Sequence, residues 1–178
     1  MNVLVEAVVA EMKTYFGNDE RRINHALSVL GYAREIRDCE KGDKMVVECA
    51  AALHDIGIHE AERKHGSPAG HFQELEGPSI ARKIFAKIAK SINVELSKER
   101  IDHIFAIIAN HHSAKEIDTL EFRIIWDADW LVNIPDEYDL NDERKIRQLT
   151  AGIFKTDTGR KIAERIFLEA HSKKGEEL

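Results

Sequence analysis

His54 and Asp55 stand side by side at the end of an apolar run, Ala50-Ala51-Ala52-Leu53, and Gly57 follows two residues on. A neutral imidazole and a carboxylate are the usual donors to a borderline or hard divalent cation. Neighbours in a regular helix point about 100° apart. The pair therefore converges on one ion only if a helix ends there and the chain turns. Gly57 is placed to permit such a turn, since glycine reaches positive φ without strain. Other groups of matching chemistry are spread along the chain. His25 shares a helix face with Val29 and Tyr32. Asp127 and Asp129 interrupt a segment, 121–134, that is apolar on nearly every side. Carboxylates buried there must be paired, protonated or bound to a cation, because an unpaired buried charge is very costly. Arg123 is one candidate partner for them. His111-His112 close a further apolar run, where histidine also suits the C-terminal end of a helix dipole.

The elements that must position these groups read as helices throughout. Leu4, Val5, Val8, Val9, Met12 and Phe16 give 3–16 an apolar side, and Gly17-Asn18-Asp19 breaks it and offers a cap. A second helix spans 20–38 on Ile23, Ala26, Leu27 and Leu30. After a turn at 40–43, a third climbs through Met45, Val46, Cys49 and Leu53 to the His-Asp pair. Residues 56–75, rich in glycine and histidine, read as a long irregular loop, functional or mobile. Pro78 suits the first turn of the next helix, which carries Ile80, Ile84, Phe85 and Ile88. Ser97 caps another, on Ile101, Ile104, Phe105 and Ile108, ending at 110–113. The segment 121–134 is a central buried helix stopped by Pro135. Helices over 141–153 and 158–172 follow, and the tail 173–178 is expected to fray. With no repeat and no low-complexity linker, 1–178 reads as one all-α domain of about seven or eight helices.

The 178 residues suffice for a real core. Hydrophobic residues at 43% and charged residues at 33% give a soluble balance. A net charge of −6 argues against a general nucleic-acid or anionic-membrane surface, while leaving room for a local basic pocket. Cys39 and Cys49 show no C-x-x-C spacing and read as thiols of a reducing compartment. No run of about 18 apolar residues is present, so no membrane span is expected. Glu6, Glu11 and Lys13 interrupt the first apolar stretch, unlike a signal peptide. A cytoplasmic protein is expected.

In chain order there is a histidine on an early helix, a His-Asp pair at the end of the next, further histidines, and an aspartate in a late buried helix. This pattern resembles the HD-domain metal-dependent phosphohydrolase superfamily. The resemblance rests on His25, His54-Asp55 and Ala128-Asp129-Trp130-Leu131, and spans about 20–135. It implies a single-domain helical HD fold around a buried divalent metal (Mn, Mg, Fe, Co, Ni or Zn). It further implies hydrolysis of a phosphate ester of a nucleotide or related small phosphorylated compound. The metal roles fall on His25, His54, Asp55 and Asp129. Helix geometry keeps Asp127 and Asp129 from facing one ion. The family's Ala-Asp-x-Leu context selects Asp129, leaving Asp127 an outer partner or a salt-bridge carboxylate. Branches acting on alarmones or deoxynucleoside monophosphates carry an acidic residue three positions after the pair's aspartate. Ile58 stands there, with Glu60 two further on, which counts against both branches. Binuclear branches place a histidine four before the glycine that opens the following helix. Gln73 stands four before Gly77, with His71, Glu74, His111 and His112 as candidate replacements.

A metal so held lowers the pKa of its water and offsets charge on the phosphoryl oxygens. His54 and Asp55 are the expected catalytic pair, Asp55 orienting the attacking water. Arg22, one turn before His25, is a candidate phosphate clamp. Lys64 and His65, before Gly66-Ser67, could close over a phosphate from the loop. Gln73, Glu74, His111 and His112 complete the expected substrate-binding set. Two other functions fit the pattern. One is a di-iron oxygenase, which needs two further histidine ligands and is opposed by Gln73. The other is a regulatory module that binds a nucleotide without turning it over.

Overall fold

Asp43 begins the helix on which the fold is built. Its carboxylate accepts the N–H groups of Met45 and Val46 at 3.0 and 3.1 Å, a side-chain cap that starts the helix at Lys44. Every residue from Val46 to Leu53 is buried. The computed structural model describes residues 3–92 and 97–176, with side chains up to 169. Among the described residues there are nine α-helices and no strand. They are α1 (Val3–Phe16), α2 (Glu20–Glu40), α3 (Lys44–Leu53), α4 (Ile58–His65), α5 (Gly70–Ser91), α6 (Lys98–Ile108), α7 (Leu120–Glu137), α8 (Glu143–Ile153) and α9 (Asp157–Glu176). The all-α expectation therefore holds.

Helix α3 is the axle, with α1, α2, α6 and α7 packed around it. Ala50, Ala51 and Ala52, all buried, give it a thin waist against its neighbours. Its one buried charge is Glu48. Arg34 and Arg37 of α2 hold that carboxylate at 2.8 and 3.5 Å. Pairing is what makes such a charge tolerable inside. Asp19 caps α2 by accepting the Arg22 N–H at 3.1 Å, and Ser97 accepts the Arg100 N–H at the start of α6.

The segment 56–75 is not a long loop. It holds α4 and the first turn of α5, and only residues 66–69 lie between them. The breaking signals are confined to those few positions. Gly66, at φ +66°, ends α4 with its N–H on the Glu62 carbonyl at 2.9 Å. Before it, Ile58 and Ala61 share the buried side of a run of good helix formers. Helix α5 accordingly starts at Gly70, not at Pro78, and Pro78 lies in its interior, where it withholds an N–H from the Glu74 carbonyl. Pro135 likewise lies inside the last turn of α7, which continues to Glu137. Helix α9 runs to Glu176, past the end expected at 172; residues 177–178 of the expected frayed tail lie outside the described residues. No helix among the described residues is long and apolar enough to cross a membrane.

Candidate metal centre

Helix α3 ends at Leu53, and the chain turns through residues 54–57 before α4 begins. That turn lets His54 and Asp55 face one point. Gly57 serves it differently from the expectation of a left-handed residue. Its backbone is right-handed, φ −75° and ψ −13°. A Cβ there would lie 2.4 Å from the Gln73 carbonyl oxygen and 2.7 Å from the Gly77 nitrogen. Glycine is needed because the turn rests directly on the backbone of α5.

Four side chains meet at this point. His25 Nε2, from α2, lies 3.2 Å from His54 Nε2 and 3.1 Å from Asp129 Oδ1 of α7. Asp55 Oδ2 is 3.5 Å from His25 Nε2 and 3.6 Å from His54 Nε2, and His54 Nε2 is 3.5 Å from Asp129 Oδ1. His54 is fully buried, and its Nδ1 lies 2.8 Å from the Ala51 carbonyl oxygen. A carbonyl only accepts, so Nδ1 donates, and the neutral ring presents a bare Nε2 to its neighbours. Two imidazole nitrogens and two carboxylates at these distances require a proton or a cation among them. Burial opposes protonation of His54, but the Asp55 and Asp129 carboxylates outweigh it and lift its pKa to about 9. Burial would raise both carboxyls, yet the facing histidines hold Asp55 and Asp129 well below the usual carboxylate range. The same negative field fits a divalent ion. On Asp55's other side, Oδ1 lies 3.2 Å from His111 Nε2 and 3.8 Å from His112 Nε2. His111 Nδ1 is spent on the Ile108 carbonyl at 2.8 Å. Asp55 is thus shared by two potential ligand groups, His25-His54-Asp55 and Asp55-His111-His112.

Asp127 points elsewhere. It accepts the Lys155 and Thr156 N–H groups and the Thr156 hydroxyl, each at 2.7 Å. Burial pushes its carboxyl up to about 6 despite those donors. Its partner is therefore the start of α9 rather than Arg123, which is paired with Asp118 at 2.6 Å. Lys64 and His65 are also away from the centre. Both are tied to Glu76, at 2.6 and 3.0 Å, and His65 stacks on Phe72 with ring centroids 4.2 Å apart. Both belong to helix α4 and its contact with α5. His71 lies against Phe72, not at the cluster. Glu74 acts on the histidines indirectly, its Oε1 accepting the N–H groups of His112 and Ser113 at 2.9 and 2.7 Å.

An open cleft of about 560 Å³ leads to His25 and Asp55, and Arg22, Gln73 and His112 also line it. Arg22 is 3.5 Å from Glu62. Gln73 is buried, its Nε2 donating to the Pro68 carbonyl at 2.7 Å while its Oε1 has no partner among the described residues. Sequence reasoning missed Arg21, Asn24, Ser28, Asn133, Asp136 and Glu137, all of which line the cleft. Asn133 donates to Asp129 Oδ1 at 2.9 Å. The signal was helical spacing: 21, 25 and 28 on α2, and 129, 133 and 136 on α7, each form one stripe.

The family model of the HD domain matches residues 22–134, well over half of the chain. This chain belongs to the HD-domain family. The matched span begins just before His25 and ends just after Asp129, so it contains the whole cluster. No curated protein and no solved structure gives a significant match. HD domains are metal-dependent hydrolases and bind divalent metals, and the His/Asp groups of this one could hold such an ion.

Proposed function

We propose that this HD-domain protein is a metal-dependent phosphohydrolase of a small phosphorylated compound, a nucleotide or a close relative, with His25, His54, Asp55 and Asp129 as metal ligands. The observation that carries this reading is that the Nε2 atoms of His25 and His54 lie 3.1–3.6 Å from each other and from the Asp55 and Asp129 carboxylates, beside a cleft that also holds Arg21 and Arg22. A divalent ion held there lowers the pKa of a water and offsets negative charge on phosphoryl oxygens. The chain's own groups do the remaining work. The Ala51 carbonyl fixes the His54 ring, and Asn133 fixes the Asp129 carboxylate, so neither must reorient when a substrate arrives. Asp55 lines the cleft and orients the attacking water, its other oxygen facing His111 Nε2 at 3.2 Å. Arg21 and Arg22 stand on α2, where a guanidinium can bind phosphoryl oxygens.

Elemental analysis of the purified protein, followed by phosphomonoester and phosphodiester panels with Mn²⁺, Mg²⁺, Co²⁺ and Ni²⁺, tests the reading. Phosphate release or diester cleavage on at least one nucleotide-like substrate is expected. Iron-dependent oxygen uptake without hydrolysis would replace it with the oxygenase. Nucleotide binding with no turnover on any metal would replace it with a regulatory module.

A further inference from the structure

His112 reaches the cleft from a turn that does not hold itself. The turn follows α6 and ends at Ala114, whose φ of +51° is a left-handed conformation that a residue with a Cβ adopts only under strain. Such a conformation persists where the surroundings impose it. Here the surroundings are the first two turns of α5. Glu74 Oε1 accepts the His112 N–H at 2.9 Å and the Ser113 N–H at 2.7 Å. Gly70, one turn earlier on the same side of α5, leaves the room that the His112 ring fills. A Cβ at position 70 would lie 2.7 Å from both Cγ and Cδ2 of that ring and 2.9 Å from the His112 Cβ. Held in this way, the His112 side chain is 34% exposed and lines the cleft, its Nε2 3.8 Å from Asp55 Oδ1.

Glu74 itself stands behind this arrangement. Among the described residues it belongs to neither potential ligand group and does not line the cleft. Both N–H groups reach the same oxygen of its side chain. What the turn needs at position 74 is therefore an acceptor at one point, not a negative charge. Glutamine offers that acceptor on a side chain of the same length, and alanine offers none.

We propose that Glu74, with Gly70 beside it, is a positioning residue: it fixes the turn that carries His112 and so sets where that imidazole meets the phosphoryl group of a substrate. The phosphate contact rests on the phosphohydrolase reading of the same site; the fixing of the turn does not.

Two measurements on the full chain test this. The first is amide hydrogen exchange by NMR on the chelated protein. In Glu74→Ala the His112 and Ser113 amides should exchange at least about tenfold faster than in the wild type, and in Glu74→Gln they should stay protected. Equal exchange in all three proteins overturns the proposal. The second is calorimetric titration of the Mn²⁺-loaded protein with inorganic phosphate. Glu74→Ala, Gly70→Ala and His112→Ala should each weaken phosphate binding by about tenfold, the worth of one charge-assisted hydrogen bond. Glu74→Gln should restore most of the loss seen in Glu74→Ala. In the His112→Ala background, neither Glu74→Ala nor Gly70→Ala should cost much more, because both act through that ring. A general loss of structure would instead add to the His112→Ala effect. Additive losses, or a Glu74→Gln as damaging as Glu74→Ala, overturn the proposal, the second by showing that the charge of Glu74 is what matters. A wild-type protein that binds no phosphate counts against the hydrolase reading and strikes the phosphate contact, while the exchange rates still decide whether Glu74 fixes the turn.

Discussion

Asp127 and Asp129 are two residues apart, equally buried in appearance from sequence, and differ in what they touch. Asp129 faces His25 and His54, whereas Asp127 gathers three donors at the start of α9. The two isosteric substitutions should therefore separate cleanly. Asp127→Asn turns an amide N–H₂ toward groups that donate, and should cost about 1–3 kcal/mol of stability. A chain of this size would lose roughly 2–4 °C in Tm per kcal/mol. Metal bound per folded molecule should stay unchanged. Asp129→Asn should leave Tm of the chelated protein within a few degrees while weakening metal binding by at least tenfold. Thermal unfolding and metal titration of both variants check this, and the reverse order of effects would move the metal centre to the other face of α7. Helix geometry alone separated the two residues, and the family context chose between them. What sequence could not give was Asp127's true partner, because two of its three donors are the backbone N–H groups of Lys155 and Thr156, which carry no signature in side-chain type, and the third, the Thr156 hydroxyl, lies 29 residues away.

Helices were legible where their apolar stripes were long; the break at Asp19 was legible from capping chemistry, and 40–43 was legible as a turn, without Asp43's role as a cap. The region 56–75 was misread because glycines there do two unrelated jobs. Gly66 ends a helix at positive φ, while Gly57 gives up its side chain to a close approach against α5. A turn that rests on a neighbouring helix leaves no local mark distinguishing it from a turn that needs φ > 0. The distinction is testable by adding a single methyl group. Gly57→Ala drives a Cβ into backbone atoms at 2.4 and 2.7 Å, neither of which can swing away. It should cost roughly 1–3 kcal/mol and shift the His54-Asp55 turn enough to weaken metal binding. Gly31→Ala is the control, in the interior of α2 with nothing within 4 Å of the added carbon. There the gain in helix propensity should raise stability by about 0.5–1 kcal/mol. Chemical denaturation of both variants gives the comparison. A neutral Gly57→Ala would mean that α5 can retreat from the turn.

The centre draws its groups from α2, the turn after α3, the turn after α6, and α7, and α2, α6 and α7 all pack on α3. A ligand held by all of them binds the folded chain and not the unfolded one, so it must stabilise the entire molecule. Saturation at about 100 times Kd adds roughly 2.7 kcal/mol, and chelation should lower Tm by about 5–10 °C. The pH dependence of that difference follows from the same groups. Without a metal, burial and the two carboxylates together leave His54 with a folded pKa of about 9, above its ordinary 6.5. A raised histidine stabilises fully below its unfolded pKa, and that contribution is lost as pH climbs through about 9. Asp55 and Asp129 are depressed, so their contribution is present above the ordinary carboxylate range and lost in acid. The chelated protein should therefore be most stable between roughly pH 4 and 6.5 as far as this cluster decides it, and lose stability toward pH 9. Metal binding runs the other way, since a protonated His54 must release its proton to become a ligand. The gap in Tm between metal-loaded and chelated protein should widen as pH rises from 6.5 to 9. Paired thermal melts across that range measure it directly. A gap that stays constant or narrows would mean that the metal does not replace a proton on this cluster, and that the four groups are an internal ion-pair network rather than a metal centre.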